Sequence, residues 1–292
     1  MIVVTGATGR IGRLVVEALV GQCEQVRAVV RDPSAARATL GEAVDIATAD
    51  LADQRAVTRA MRNARSVFLC TSVHPDQVLL QGHVVNAATE VGTRVVKLSG
   101  LATFAGSYVD SGRWHAETED AIRRSGLPHT FLHPYFFSQN LAFALRDARE
   151  RGVITSAIPD ASIAMVDVRD IAAVAATVLR DAARVPATTL VLTGPDAVSY
   201  SDVAAILANL TGRSVPCRKL THEQLAAGLR NAGQPEWHTR LLLQFNQAFA
   251  AGLAQQPTTA VADVLGRAPI SVEASLRAMA GLSPRDNDPF PS

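Results

Sequence analysis

The chain has 292 residues, 48% hydrophobic and 19% charged, with a formal net charge of +1 at pH 7. Such a chain can bury a large core without disulfides. Its scattered basic residues, with Arg123-Arg124 the nearest approach to a cluster, exclude an electrostatic footprint for nucleic acid. Three widely spaced cysteines (Cys23, Cys70, Cys217) exclude a disulfide framework and a zinc ribbon, and fit a reducing cytoplasm.

Met1-Ile2-Val3-Val4-Thr5 reads as a strand, without the basic and apolar regions of a signal peptide. It runs into the turn Gly6-Ala7-Thr8-Gly9-Arg10-Ile11-Gly12. Ile11, Leu14, Val15, Ala18 and Leu19 then recur at i, i+3, i+4, i+7 and i+8, the stripe of a sheet-packing helix that Gly21 ends. Further strands are predicted at Gln25 to Val30, Val44 to Ala49, Ser66 to Thr71, Arg94 to Ser99 and Thr130 to His133, alternating with helix-period segments. This rhythm predicts right-handed βαβ crossovers and an α/β, doubly wound parallel sheet. No run approaches the ~18 consecutive apolar residues of a membrane span.

After residue 133 the rhythm changes. The aromatic patch Tyr135-Phe136-Phe137 leads into a helix to about Arg149, and a short strand pair is expected around Val153 to Ile158 and Ser162 to Val166. Asp167 to Leu179 reads as another sheet-packing helix and Thr188 to Leu192 as a strand. Helices follow at Ser201 to Leu210, His222 to Asn231, Trp237 to Leu253 and Val272 to Ala280, with a strand at Ser214 to Arg218. The tail Ser283 to Ser292 reads as disordered. The division expected is a Rossmann domain over 1–133, completed by about 163–193, and a smaller, mostly helical substrate-side domain of 134–162 and 194–292 over the carboxyl edge of the sheet.

The glycine turn carries the first chemical signal. A pyrophosphate needs approachable backbone amides and a helix N-terminus whose dipole favours an anion. Gly6 permits the tight turn, Gly9 keeps a side chain away from the phosphates, and Gly12 lets the helix press on the first strand. Because the motif follows a strand and opens an amphipathic helix, its context is that of a dinucleotide site. At the end of the second strand stands Arg31, a cation suited to a 2′-phosphate, which favours NADP(H) over NAD, with Asp32 beside it.

The chain resembles the NmrA-like branch of the atypical short-chain dehydrogenase/reductases, which includes NADPH:quinone oxidoreductases. The residues that carry the resemblance are Gly6-Ala7-Thr8-Gly9, Val30-Arg31-Asp32-Pro33, Val96-Lys97-Leu98-Ser99, Trp114-His115-Ala116-Glu117-Thr118-Glu119, Phe131 to Asn140 and Val166 to Ala172. The family has arginine where this chain has His133. The resemblance implies that Asp50 and Leu51 border the adenine and that Cys70, Thr71 and Ser72 run beside the ribose. Ser99 and Gly100 would end the fifth strand at the coenzyme. His133, Pro134, Tyr135 and Phe136 would flank the nicotinamide, with Tyr135, Phe136, Phe137 and Asn140 facing substrate.

Typical short-chain reductases protonate the substrate oxygen with a Tyr-x-x-x-Lys pair, and this chain has none, since Gly112, Gln139 and Ala204 stand four residues after its three tyrosines. The matching helix offers His115 and Glu119 at i and i+4, which predicts a carboxylate orienting and charging the imidazole. His115 or Ser99 is the expected proton donor, and Lys97 shares a strand face with Ser99. Losing a positioned general acid costs about 10²- to 10⁴-fold. A quinone, whose reduced oxyanion is delocalised, tolerates this better than an ordinary ketone. The expectation is therefore a cytoplasmic NADPH-dependent oxidoreductase, monomer or homodimer, that passes hydride to a quinone or related aromatic carbonyl in a cleft between the domains. The alternatives are an NADP-binding redox sensor without turnover and an aromatic polyketide tailoring enzyme acting by ketone reduction or reductive coupling. No metal is expected, because His129 and His133 fall about 13 Å apart along a strand.

Overall fold

The computed structural model describes residues 1–181, 185 and 189–282, and these form two compact units. The predicted disordered tail and Thr188 lie outside the described residues. The first unit takes the described residues of Met1–Gly106, Ser111–His133 and Arg169–Leu190, and the second takes those of Ser107–Asp110, Pro134–Val168 and from Val191 onward.

Strand and helix alternate through the first part of the chain as β1 (Ile2–Thr5), α1 (Arg10–Val20), β2 (Val26–Val30), α2 (Pro33–Leu40), β3 (Asp45–Thr48), α3 (Gln54–Ala60), β4 (Ser66–Leu69), α4 (Gln77–Val91), β5 (Arg94–Leu98), α5 (Asp110–Arg124) and β6 (His129–Pro134). After a 3-10 helix at Ser138–Leu141 come α6 (Ala142–Arg151), β7 (Ile154–Ser156), α7 (Val168–Arg180) and β8 (Thr189–Leu192). The remainder contributes α8 (Tyr200–Thr211), β9 (Cys217–Lys219), α9 (His222–Asn231), α10 (Glu236–Ala250), α11 (Ala260–Leu265) and α12 (Val272–Met279). No helix among the described residues is long and apolar enough to cross a membrane.

The sheet has seven strands in the order β3-β2-β1-β4-β5-β6-β8, and the pairs from β3 to β6 are parallel. Its central strands are covered on both faces, which is why β1 and β4 read as unbroken runs and are wholly buried, whereas the edge strand β3 is half exposed. Val3, Val67, Val95 and Phe131 pack with Val57 of α3, Val84 of α4 and Ile122 of α5. Ile11, Val15 and Leu19 of α1 and Ile171, Val174 and Val178 of α7 are also buried. Each such side chain contributes about 1.5–3 kcal/mol.

In the second unit the expected strand pair does not form. Ile154 to Ser156 pairs in parallel with Cys217 to Lys219 instead. Residues 162–166 make only isolated bridges, Ile163 to Val198 and Phe137 to Val166. Ile163, Ala164, Met165 and Val166 are fully buried, but their backbone bonds are shared among separate segments: Ala164 N donates to Ala254 O, Val166 N to Phe136 O, and Gly194 N to Met165 O. These scattered partners prevent a ladder. Reciprocal capping boxes begin α8 (Ser199 with Asp202) and α9 (Thr221 with Gln224).

Candidate active site

Thr5 ends β1, and its hydroxyl donates toward Phe68 O (3.2 Å) and Cys70 O (2.9 Å) while accepting from the Cys70 amide (2.9 Å). The ends of β1 and β4 are thereby tied together where strand order reverses, the topological switch point at which doubly wound sheets bind ligands. The turn that follows is closed by Gly9 N donating to Gly6 O at 2.9 Å. Gly6 has φ +62°, and a Cβ there would lie 2.7 Å from Cys70 O. Ala7, Ile11 and Gly12 are buried, while Thr8, Gly9 and Arg10 face outward.

Gly9 is the N-cap of α1 and supplies no capping side chain, and the first turn of α1 holds no acidic residue. Its neighbours differ, because α2 and α3 are capped by the carboxylates of Asp32 and Asp53. The first-turn amides of α1 are thus left for an anion from outside the chain. Arg31 is exposed, and its guanidinium has no partner among the described residues. Asp32 Oδ1 accepts from Ser34 N (2.9 Å) and Ala35 N (3.0 Å), so one oxygen of this carboxylate caps α2. A pyrophosphate at the turn with a 2′-phosphate at Arg31 suits these groups.

The other predicted coenzyme residues follow strand ends of the first unit. Asp50 Oδ1 accepts from Ala52 N at 2.9 Å, and Leu51 O accepts from His83 Nδ1 at 2.7 Å. Ser72 is exposed, and Thr71 Oγ1 accepts from Gln81 Nε2 of α4 at 2.8 Å. Burial pushes the Cys70 thiol up to about 12, against the opposing pull of Lys97. It is not a reactive thiolate.

Beyond Ser99 and Gly100 lies a buried polar network that also brings together all three predicted proton-handling residues. Lys97, 0% exposed, donates from Nζ to Ser99 Oγ at 2.9 Å and meets His115 Nδ1 at 2.8 Å. Gln77 Nε2 reaches the same Nδ1 at 2.9 Å. An ammonium only donates, so with Lys97 charged Nδ1 is the acceptor toward it, and the ring, held neutral by burial, carries its proton on Nε2. That edge of the ring lies beside Gly100, with Nε2 3.7 Å from where a Cβ on Gly100 would stand.

The expectation that Glu119 charges His115 is corrected here. Glu119 Oε1 accepts from Ser99 Oγ and from His133 Nε2 (2.7 Å), and Oε2 accepts from Arg123 (3.0 Å). The two side chains share a helix face, but the carboxylate turns to stronger donors and leaves His115 to Lys97. Burial, then the charges of Lys97 and His133, hold the His115 imidazole well below its ordinary range. Burial brings Lys97 down to about 7, while Glu119 and Cys70 pull the other way. For Glu119, burial alone would raise the carboxyl, but the bond and charge of His133, the bond from Ser99 and the charge of Lys97 outweigh it and hold it low. Sequence reasoning missed Gln77 and Arg123. The one trace of Gln77 was a pair of glutamines, Gln77 and Gln81, four apart on the buried side of α4.

In the second unit Tyr135, Phe136 and Phe137 are half-buried and Asn140 is exposed. Phe136 meets Phe249 edge to face, with ring centroids 5.4 Å apart, and Phe249 stacks on Phe245 at 6.1 Å. Burial raises the Tyr135 phenol.

The sequence pattern of the NmrA-like family matches residues 1–256. The chain is 34% identical over 237 residues to an NAD(P)H azoreductase of Xenophilus azovorans, covering 81% of this chain and 82% of that protein. It is 31% identical over 239 residues to quinone oxidoreductase 2 of Escherichia coli (strain K12), with coverage of 81% and 83%. Among solved structures, the NADPH complex of an Escherichia coli NADPH-dependent quinone oxidoreductase superposes with a TM-score of 0.86 at 25% identity, covering 96% of this chain and 100% of that one.

Proposed function

The chain belongs to the NmrA-like family, and on that premise we propose that it is an NADPH-dependent reductase of quinones or related aromatic acceptors. The observation that carries this reading is the uncapped first turn of α1 with a guanidinium at Arg31 that has no partner among the described residues, while the adjacent Asp32 caps α2 through one carboxylate oxygen. Relatives named as a quinone oxidoreductase and an azoreductase supply the substrate class.

When bound, NADPH supplies the hydride. The amides of residues 9–12 hold its pyrophosphate and Arg31 its 2′-phosphate, where a guanidinium forks onto phosphate oxygens. Asp50, Leu51, Cys70, Thr71, Ser72, Gly100, His133 and Pro134 remain proposed coenzyme contacts, and Tyr135, Phe136, Phe137 and Asn140 proposed substrate contacts. His115 is favoured over Ser99 as the donor to the substrate oxygen. The Ser99 hydroxyl proton is committed to Glu119, whereas His115 Nε2 has no hydrogen-bond partner among the described residues. A neutral imidazole is a weak acid, which suits an acceptor whose reduced oxyanion is delocalised. Three unpaired cysteines support a cytoplasmic setting.

Purified protein is mixed with NADPH and a panel of quinones and azo compounds while the absorbance of the reduced coenzyme is followed. Turnover of a panel member, slower with NADH, is expected. Coenzyme binding without turnover of any member would leave a nucleotide-binding regulator.

A further inference from the structure

Giving up the Nε2 proton from a neutral ring leaves an imidazolate, which a buried site disfavours strongly unless Nδ1 gains a proton in the same event. His115 is 7% exposed, and two groups face its Nδ1, Gln77 Nε2 at 2.9 Å and Lys97 Nζ at 2.8 Å. An amide cannot release a proton near neutral pH, and an ammonium can. We propose that Lys97 is the proton source for the reduction, acting through His115 as Nδ1 takes a proton from Nζ while Nε2 yields one to the substrate oxygen. This rests on the reductase reading above, with His115 as donor.

The step balances. The acceptor receives hydride from NADPH and one proton from Nε2, one N–H bond breaks at Nζ and one forms at Nδ1, and no group of the relay is oxidised or reduced. After product leaves, Nε2 takes a proton from water and Nδ1 returns its own to Lys97, restoring the starting tautomer.

The surroundings keep Lys97 in place and prepare it to let go. Its ammonium donates to Ser99, which donates to Glu119, and Glu119 is anchored by His133 and Arg123. The charged and titratable groups that act on it are Glu119 and His115 from α5, Cys70 after β4 and, through Glu119, His133 of β6. Burial brings its proton affinity close to neutrality, where a proton donor works best. Lys97 touches no reacting atom in this scheme, so it is a positioning and relay residue.

The coenzyme-free protein provides the first readout. Its ¹⁵N spectrum should show His115 Nδ1 unprotonated at neutral pH, with a shift that inflects as Lys97 titrates, and Lys97→Met should abolish the inflection. The second readout is the pH profile of kcat with a quinone. In the wild type kcat should fall as pH rises through about 7, because the ammonium is the working form. Lys97→Met should lower kcat by about 10- to 100-fold, leave KM within about twofold and flatten that profile. A proton found on Nδ1 in the wild type overturns the relay. So does a Lys97→Met enzyme with wild-type kcat and profile when His115→Gln is impaired. An inactive wild type refutes the reductase reading instead, and the Nδ1 spectra then decide the Lys97 to His115 relation alone.

Discussion

Gly12 stands so close to Gly6 that a Cβ added at Gly12 would lie 2.1 Å from the Gly6 carbonyl oxygen. Backbone occupies the space, so no side chain can swing aside. Gly12→Ala should destabilise the protein by at least about 1–3 kcal/mol, the usual cost of overpacking. At Gly9 a Cβ would meet only Gly6 O at 3.1 Å, and its φ of −77° with ψ of 170° suits any residue. Gly9→Ala should lose clearly less stability than Gly12→Ala in urea titrations and yet bind NADPH at least about tenfold more weakly by calorimetry. Equal losses of stability in both variants would contradict this division of labour.

Coenzyme choice should separate in the same way at Arg31 and Asp32. Removing one charge-assisted contact costs about 1.5–3 kcal/mol, or about 10- to 150-fold in affinity. Arg31→Ala should therefore weaken NADPH by that factor and leave NADH unchanged in fluorescence titrations. Asp32→Ala removes the cap that Ser34 N and Ala35 N use, costing about 0.5–2 kcal/mol of stability with the coenzyme ratio unaltered. An Asp32 variant that shifted the NADPH to NADH ratio would place that carboxylate at the ribose.

Legibility in the sequence followed how local each cause is. Gly6 needs a positive φ and Gly12 a close backbone approach, and both follow from the strand, turn and helix that immediately surround them. The central strands could be read because burial on two faces leaves unbroken apolar runs such as Val67 to Leu69. The network around Lys97 could not. Gln77, Lys97, Glu119 and His133 sit on α4, β5, α5 and β6 and meet only when four elements pack, so the spacing of His115 and Glu119 suggested a pair that the fold does not make. Likewise, the run of residues 162–166 read as a strand because nothing local in it says which segments will accept its amides.

Ser275 and Asp167 test a buried polar contact in the second unit. Ser275 Oγ donates to Asp167 Oδ2 at 2.6 Å, and both residues are 0% exposed. A hydrogen bond to a charged group contributes about 1.5–3 kcal/mol, and Asp167 retains other interactions when it is lost. Ser275→Ala should lower unfolding free energy by about that amount in urea titrations. A change below about 0.5 kcal/mol would mean that the remaining partners satisfy the carboxylate.

Stability should rise with pH through the alkaline range because of Lys97. Burial, partly opposed by Glu119 and Cys70, lowers its pKa from 10.5 to about 7 in the folded protein. Between those values the unfolded chain binds more protons than the folded one, so unfolding free energy increases with pH over that window and levels off above it. Below about 7 both states hold the proton, and the cost of the buried charge is then carried in full. His115 adds the same slope further down, since its folded pKa lies well below 6.5 and stability is lost as pH falls beneath that value. Comparing urea midpoints at about pH 7 and about pH 9.5, Lys97→Met should show a clearly smaller gain than wild type, because exposed groups titrate alike in both. An equal gain would mean that the Lys97 ammonium is stabilised in place by Ser99 and Glu119 and does not titrate early.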